Sequence, residues 1–189
     1  MSSKSLVTIY IPCRNYGNFL AQSVESVFNQ SYTNWELVII NEASDDNTSE
    51  IARELCKREP QKTTFIDNKK PLGLQKLANL VLSQANGKYM MRLDADDWLD
   101  ENALLLLVSK LENSSDSGLV FGNYYYTNQE GNVIGVETSF EENVGESLSK
   151  IPPHGACTLF RTRALKTVGG YSEDVNCLLY TSDAADERR

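Results

Sequence analysis

The sequence holds a single histidine, His154, and its four cysteines, Cys13, Cys56, Cys157 and Cys177, form no CxxC pair. Too few soft ligands are present for a zinc site of the usual Cys/His kind. The thiols are expected to be reduced, in a cytoplasmic setting, each packed as a small buried hydrophobe. No apolar run approaches the roughly 18 residues that cross a bilayer, and Met1–Ser5 is too short and polar for a secretory leader. Cations are in the minority: 18 Lys and Arg stand against 26 Asp and Glu, for a net charge of −8, and no run of Lys or Arg interrupts that balance. Such a chain repels nucleic acid and anionic membranes. Nucleic-acid binding is therefore not expected, and any membrane association is at most peripheral, at the inner face. No unit repeats, which excludes a solenoid.

With 41% hydrophobic and 23% charged residues, the chain has the means to build one ordinary core. Leu6–Ile11 is a β-branched apolar run that reads as a buried parallel strand stopped by Pro12. Gly17 opens a helical pattern that places Phe19, Leu20, Val24, Val27 and Phe28 on one side. Trp35–Ile40 is a second strand, and Ile51, Ala52 and Leu55 mark a helix behind the cap residues Ser44–Asn47. Thr63–Ile66 is a third strand. Leu74, Leu77, Ala78, Val81 and Ala85 recur at helical spacing, which predicts a helix over Leu72–Ala85. Tyr89–Leu93 is a fourth strand, Glu101–Leu111 a helix and Leu119–Phe121 a short strand. Alternating strands and helices predict an α/β, Rossmann-like domain with a mostly parallel sheet flanked by helices. After Gly122, Asn123–Thr127 and Asn132–Gly135 predict a hairpin, Glu137–Lys150 a loop or lid, Ala156–Phe160 a strand, and Thr162–Val168 a helix stopped by Gly169-Gly170.

In open parallel sheets ligands sit at the carboxyl ends of the strands. Asn15 follows the first strand, Asn41-Glu42-Ala43-Ser44-Asp45-Asp46 the second, and Asp94-Ala95-Asp96-Asp97 the fourth. Three aspartates within four residues repel one another unless a cation is present. Mg²⁺ and Mn²⁺ favour one or two carboxylates plus substrate phosphates, so Asp94 and Asp96 are candidate metal ligands. The plainer reading is a solvated turn ahead of a helix, and the position after a buried strand tips the balance toward the metal. Glu42 is a candidate acceptor for a nucleoside base or ribose, while Ser44, Asp45 and Asp46 also suit a helix cap.

These segments, in order, resemble glycosyltransferase family 2: Ile9-Tyr10-Ile11-Pro12-Cys13-Arg14-Asn15, Ser26–Tyr32, Trp35–Ile40, Gly73–Asn79, Ala85–Tyr89, Leu93-Asp94-Ala95-Asp96-Asp97 and Val168-Gly169-Gly170-Tyr171. The resemblance runs from Leu6 to Asn176 and implies the GT-A fold. It also implies sugar transfer from a nucleotide donor, usually with inversion, to a glycan, lipid-linked or protein acceptor, in polysaccharide biosynthesis or a related path. It places Asp94 and Asp96 at the DxD motif, on the donor ribose and on Mn²⁺ or Mg²⁺, and Glu42 where an aspartate meets the base or ribose of a UDP- or GDP-sugar. Pro12 and Arg14 fall in the first donor-binding loop, with Asn15 and Ser44 beside them. Departures are present. Asn41-Glu42 stands where two aspartates are common, Arg14 where tyrosine is common, and Ala78 where an arginine is common, with Lys76 on another side of its helix.

His154 falls on the acceptor side and is a candidate contact to an acceptor hydroxyl or donor phosphate. Part of Tyr124-Tyr125-Tyr126 could stack on a sugar, alternation sending Tyr125 the other way. Trp98 could face an acceptor, although core packing is the plainer expectation. Beyond Gly169-Gly170-Tyr171 the family's base is expected in a segment absent from this sequence. Cys177–Glu187 resembles the translation of a transposon-end sequencing adapter. A GT-A domain over 1–176, incomplete at its C-terminus, is therefore expected ahead of a non-native tail at 177–189, with sugar transfer by this chain itself not expected. The rival readings are a sugar-nucleotide nucleotidyltransferase, which would call for a Gly-rich basic loop after the first strand, and an inactive nucleotide-sugar-binding fragment.

Overall fold

The computed structural model describes residues 5–128, 131–137 and 157–174. The first half alternates strand and helix: β1 (Val7–Cys13), α1 (Gly17–Phe28), β2 (Trp35–Glu42), α2 (Thr48–Arg58), β3 (Thr63–Asn68), α3 (Leu74–Gln84), β4 (Tyr89–Arg92) and α4 (Ala103–Glu112). Then follow β5 (Leu119–Val120), β6 (Tyr124–Thr127), β7 (Val133–Glu137), β8 (Leu159–Arg161) and α5 (Thr162–Thr167). Six strands form one sheet in the order β3-β2-β1-β4-β8-β5, and β6 and β7 pair separately as the expected hairpin. Strands β1 to β4 are parallel; β8 runs antiparallel to both β4 and β5. The chain therefore lays down β2 and β3 on one side of β1 and then returns to place β4 on the other. That reversal makes a crevice between the carboxyl ends of β1 and β4, the place where open α/β sheets bind ligands.

Successive side chains on a strand point to opposite faces, and both faces are covered. Val7, Ile9, Ile11, Leu37, Ile39, Tyr89 and Met91 pack with Leu20, Val24 and Val27 of α1, Ala52 and Leu55 of α2, and Leu104, Val108 and Leu111 of α4. Tyr10, Ile40 and Met90 pack on the other face with Leu77, Ala78, Val81 and Leu82 of α3 and Leu165 of α5. Each such buried aliphatic side chain contributes about 1.5–3 kcal/mol.

Several element limits differ from expectation for identifiable reasons. Pro12 does not stop β1, which continues to Cys13. Tyr10 O accepts from Leu93 N on the β4 side. Pro12, two residues on, faces the same edge after β4 has ended, so its missing N–H removes no ladder bond. β2 runs on through Asn41 and Glu42, which are strand residues and not loop residues. α3 starts at Leu74 because the N–H groups of Leu72 and Gly73 are drawn to the Glu42 carboxylate, and Gly73 has φ +88°. α4 starts at Ala103, its N-terminal N–H groups met by side chains: Asp100 Oδ1 accepts from Asn102 N, and Gln30 Oε1 from Leu104 N. Phe19, expected on the buried side of α1, is 51% exposed, and Trp98, expected in the core, is at the surface. Of the cysteines, Cys13 is buried and Cys56 and Cys157 are partly so; Cys177 lies outside the described residues. Among the described residues no helix is long and apolar enough to cross a membrane.

Candidate active site at the carboxyl edge of the sheet

Three loops meet at the carboxyl ends of β1, β2 and β4. The first two are tied to each other. Asn15 N donates to Ser44 Oγ at 2.9 Å, and Asn15 Oδ1 accepts from Asp45 N at 2.8 Å. Asn15 adopts φ 60°, a left-handed conformation that asparagine tolerates better than most residues. Ala43 adopts φ 53° without that advantage. Asp46 Oδ2 accepts from Gly17 N at 3.0 Å, and its Oδ1 from Thr48 N at 3.0 Å. Burial works against the Asp46 charge, but the bonds from Thr48 and Gly17 outweigh it and hold the carboxyl below its usual range. Asp46 thus precedes the N-cap residue of α2, Asn47, yet meets the first N–H of that helix and also fastens the start of α1. Arg14 is exposed and Pro12 half-buried beside these loops.

Glu42 is only 5% exposed, and its carboxylate is engaged by protein. Oε1 accepts from Asn68 Nδ2 at 2.6 Å, and Oε2 from the N–H groups of Leu72 and Gly73 at 2.7 and 3.1 Å. The side chain shapes the β3–α3 loop beside the crevice. Asn41 is equally occupied: its Nδ2 donates to Ser49 Oγ and to Asp67 Oδ1, both at 2.8 Å. Asp67 also accepts from Arg53 and Lys69. Its carboxyl is lowered to about 2, first by the Lys69 hydrogen bond and then by that of Asn41. Its ordinary value is about 3.9. The depressed group therefore stabilises the fold above pH ~4 and loses that effect as pH falls toward 2. Asp67→Asn is expected to lower stability by about 1–2 kcal/mol at pH 7 after screening by solvent, and by almost nothing at pH 2. Urea unfolding of both proteins across that range checks it; a difference independent of pH would contradict the assignment.

β4 delivers the acidic turn. Asp97 N donates to Asp94 O at 3.1 Å, and Ser23 Oγ of α1 donates to the same carbonyl at 3.1 Å. Arg92, the last residue of β4, pairs with the Asp94 carboxylate: a terminal nitrogen donates to Oδ2 at 3.2 Å, and Nε lies 2.9 Å from Oδ1 but is not aligned to hydrogen-bond with it. The Tyr10 and Tyr171 phenols are neighbours, and the charge of Arg92 acts on both. Burial, then the neighbouring Tyr171, pushes the Tyr10 phenol far above its usual range. Asp96 is exposed. Asp97 also reaches the surface, yet the chain crowded around its carboxyl, then Asp94 and Asp96, push it up to about 6 against the pull of Arg92. Cys157 lies behind the turn, its N–H donating to Arg92 O at 2.7 Å, and burial pushes its thiol up to about 12.

Among the described residues no group of three or more His, Cys, Asp or Glu is arranged to hold an ion. Asp94 and Asp96 supply two hard carboxylates, one fixed by Arg92 and one open to solvent. That set fits an ion whose remaining ligands are substrate phosphates and water, and a cation there would relieve the repulsion that Asp94 and Asp96 add to burial at Asp97. His154 lies outside the described residues, as do 138–156 and the tail at 175–189. Ala78 is 1% exposed in the core under α3, while Lys76 is exposed. Tyr124 and Tyr126 share a face of the hairpin with ring centroids 5.4 Å apart.

Arg92, Tyr10 and Asn79 were not evident from the sequence as parts of this edge. Asn79 holds the Gly170-Tyr171 turn from both sides: Nδ2 donates to Tyr171 O at 2.9 Å and Oδ1 accepts from Tyr171 N at 2.8 Å. Only Arg92 carries a signal, being a cation at the end of a buried strand, where a charge requires a partner.

Comparison with known proteins gives the family and the fold. Residues 8–169 match the family model described as Glycosyl transferase family 2. The chain is 29% identical over 170 residues to a chondroitin synthase of Pasteurella multocida, covering 90% of this chain and 17% of the relative. It is 28% identical over 180 residues to a poly-beta-1,6-N-acetyl-D-glucosamine synthase of Staphylococcus epidermidis, covering 89% of this chain and 42% of the relative. The chain thus spans less than half the length of these relatives. In fold it is similar to a mannosyltransferase from Pyrobaculum calidifontis solved with GDP-Man and Mn²⁺ (TM-score 0.69, 19% identity, 92% of this chain and 49% of that one). It is also similar to S. aureus TarS solved with UDP (TM-score 0.71, 19% identity, 87% of this chain and 49% of that one).

Proposed function

The chain belongs to glycosyl transferase family 2, and from that membership we propose that its domain serves the transfer of a sugar from a UDP- or GDP-sugar to a hydroxyl of a glycan, lipid-linked or protein acceptor, inverting the anomeric carbon with the help of Mn²⁺ or Mg²⁺, while this chain by itself binds the donor without transferring it. One observation carries the reading: the Asp94/Asp96 pair emerges from β4 at the same edge, and beside the same β1/β4 crevice, as the linked Asn15 and Ser44 loops. The similar mannosyltransferase was solved with a nucleotide sugar and Mn²⁺, which supports the same pairing here.

In this reading Asp96 and Asp94 hold the divalent cation, whose chemistry is to neutralise charge growing on the leaving diphosphate. Arg92 keeps the Asp94 carboxylate in one orientation before donor arrives. Asn15 and Ser44, already braced, form the wall for the nucleoside with Pro12 and Arg14. Glu42 acts on the donor by fixing the Leu72–Gly73 backbone, or by exchanging one of those bonds for a ribose hydroxyl. The acceptor hydroxyl needs a base; the resemblance puts it after Gly169-Gly170-Tyr171, in a segment this sequence does not carry, and His154 is the weaker candidate. The protein works on the cytoplasmic side, at most peripherally at the membrane.

The test is a panel of UDP- and GDP-sugars with Mn²⁺ and a set of oligosaccharide and lipid-linked acceptors. Release of nucleoside diphosphate would be followed, and the anomeric configuration of any product read by NMR. Acceptor-dependent release with inversion is the expected result for the protein carrying the family's base segment after Tyr171, and donor binding without release is expected for this chain by itself. Folded protein that neither binds nor turns over any donor in the panel would overturn the reading.

A further inference from the structure

No run of Lys or Arg stands out in the sequence, yet folding gathers four cations in one cleft of about 560 Å³. β8 lies antiparallel to β4 with Arg161 opposite Tyr89. The cleft therefore opens at the amino ends of the parallel strands, the edge opposite Asp94 and Asp96. Lys88, Arg161, Arg163 and Lys166 line it with a single carboxylate, Glu112. Glu112 accounts for one cation, both its oxygens accepting from Lys88 Nζ at 2.8 Å. The Arg161 guanidinium donates to the backbone carbonyls of Leu111, Ser114 and Ser117 at 2.7, 2.9 and 2.7 Å. Those dipoles fix it without cancelling its charge. Arg163 and Lys166 are exposed, and neither forms an ion pair among the described residues.

The wall between Arg161 and Arg163 is closed: Thr162 is only 5% exposed, and its Oγ1 is fully buried with no hydrogen-bond partner, so a ligand in the cleft meets the cations and not this hydroxyl. On a chain with net charge −8, a cleft with four cations and one carboxylate is a local reversal of the field that concentrates anions.

We propose that this cleft is an anion site that takes a phosphate group, free or as the phosphoester of a lipid headgroup. Arg163 offers a planar fork and Lys166 a point charge, and Arg161 supplies fixed positive potential. The site is separate from the diphosphate-binding edge and does not depend on the proposed sugar transfer.

The probe is inorganic phosphate, titrated without divalent metal while backbone amides are followed by ¹⁵N NMR. Shifts are expected at Thr162–Lys166 and Lys88 and not at Asn15, Ser44 or Asp96. The double substitution Arg163→Ala/Lys166→Ala is expected to weaken phosphate binding at least ~10-fold, since each charge-assisted bond is worth more than that ratio, with its thermal melt unchanged. Sedimentation with phosphatidylglycerol vesicles, against phosphatidylcholine vesicles, separates the two sources. Capture by the first alone, lost in the double variant, assigns a lipid headgroup; phosphate binding without capture assigns a soluble phosphate. Shifts confined to the Asp96 edge, no shifts, or unchanged affinity in the double variant would each overturn the proposal. UDP binding with Mn²⁺ should survive the double substitution, so a lost cleft and a lost donor site read out separately.

Discussion

Replacing Asp96 with alanine is expected to abolish metal-dependent binding of nucleoside diphosphate, and removing the metal with a chelator is expected to do the same to the unaltered protein. The turn holds three carboxylates in unequal states. Asp94 is gripped by Arg92, Asp97 is pushed up to about 6, and Asp96 is exposed. Asp96 is therefore the carboxylate best able to close on an incoming cation. Groups behind a metal's ligands already change affinity by about 10–100-fold, so losing a direct ligand should cost on the order of 100-fold or more. Asp97→Ala removes a carboxylate that repels Asp94 and Asp96 and is expected to retain binding while perturbing the turn. Calorimetry with UDP and GDP, with Mn²⁺, Mg²⁺ or chelator, measures all three. Full metal-dependent affinity in Asp96→Ala would remove Asp96 from the site, and equal affinity in chelator would remove the metal.

How far this site was legible in the sequence depends on how far apart its partners lie. The strands and helices of the first half announce themselves because both faces of β1, β2 and β4 are buried and α3 carries Leu77, Ala78 and Val81 on one stripe. From alternation alone, Asn15, Ser44, Asp94 and Asp96 could be assigned to one edge of a parallel sheet. The structure places Asn15 and Ser44 in contact and Asp94 at the neighbouring strand. What hydrogen-bonds to what across that edge was not readable. Glu42 looked like a free acceptor, but its partners Asn68, Leu72 and Gly73 lie in a loop whose path only the fold determines. Asn79 and Tyr171 are separated by 92 positions, and nothing local marks them as a pair. Composition showed an acidic chain, and it is acidic. The basic cleft escaped notice because Lys88 and the α5 cations become neighbours only when β8 inserts antiparallel beside β4.

The same non-local logic makes Gly87→Ala the most damaging single methyl group to add. Gly87 lies between α3 and β4, and its N–H donates to Thr8 Oγ1 at 2.9 Å. Thr8 Oγ1 in turn donates to Glu36 Oε1 at 2.6 Å, and Glu36 accepts from both the backbone and side-chain nitrogens of Asn86 at 3.1 Å. A Cβ at position 87 would stand 2.5 Å from Tyr89 O, 2.6 Å from Thr8 N and 2.7 Å from Thr8 Oγ1. Two of those atoms are backbone and cannot rotate away, so the start of β4 must move off β1. The expected loss is about 3 kcal/mol, at the upper end for overpacking, or roughly 6–12 °C in melting temperature for a chain of this size. Gly122→Ala is the control, since a methyl there meets nothing within 4 Å, and it should melt like the parent. The damage should also reach the opposite edge. Val7 is in register with Tyr89 and Tyr10 with Arg92, so displacing the head of β4 shifts Arg92 and the Asp94–Asp96 turn it carries. Metal-dependent nucleotide affinity measured well below the melt is therefore expected to fall in Gly87→Ala and to hold in Gly122→Ala. A normal melt for Gly87→Ala would mean that β4 has room to adjust, and that its register does not set the height of the acidic turn.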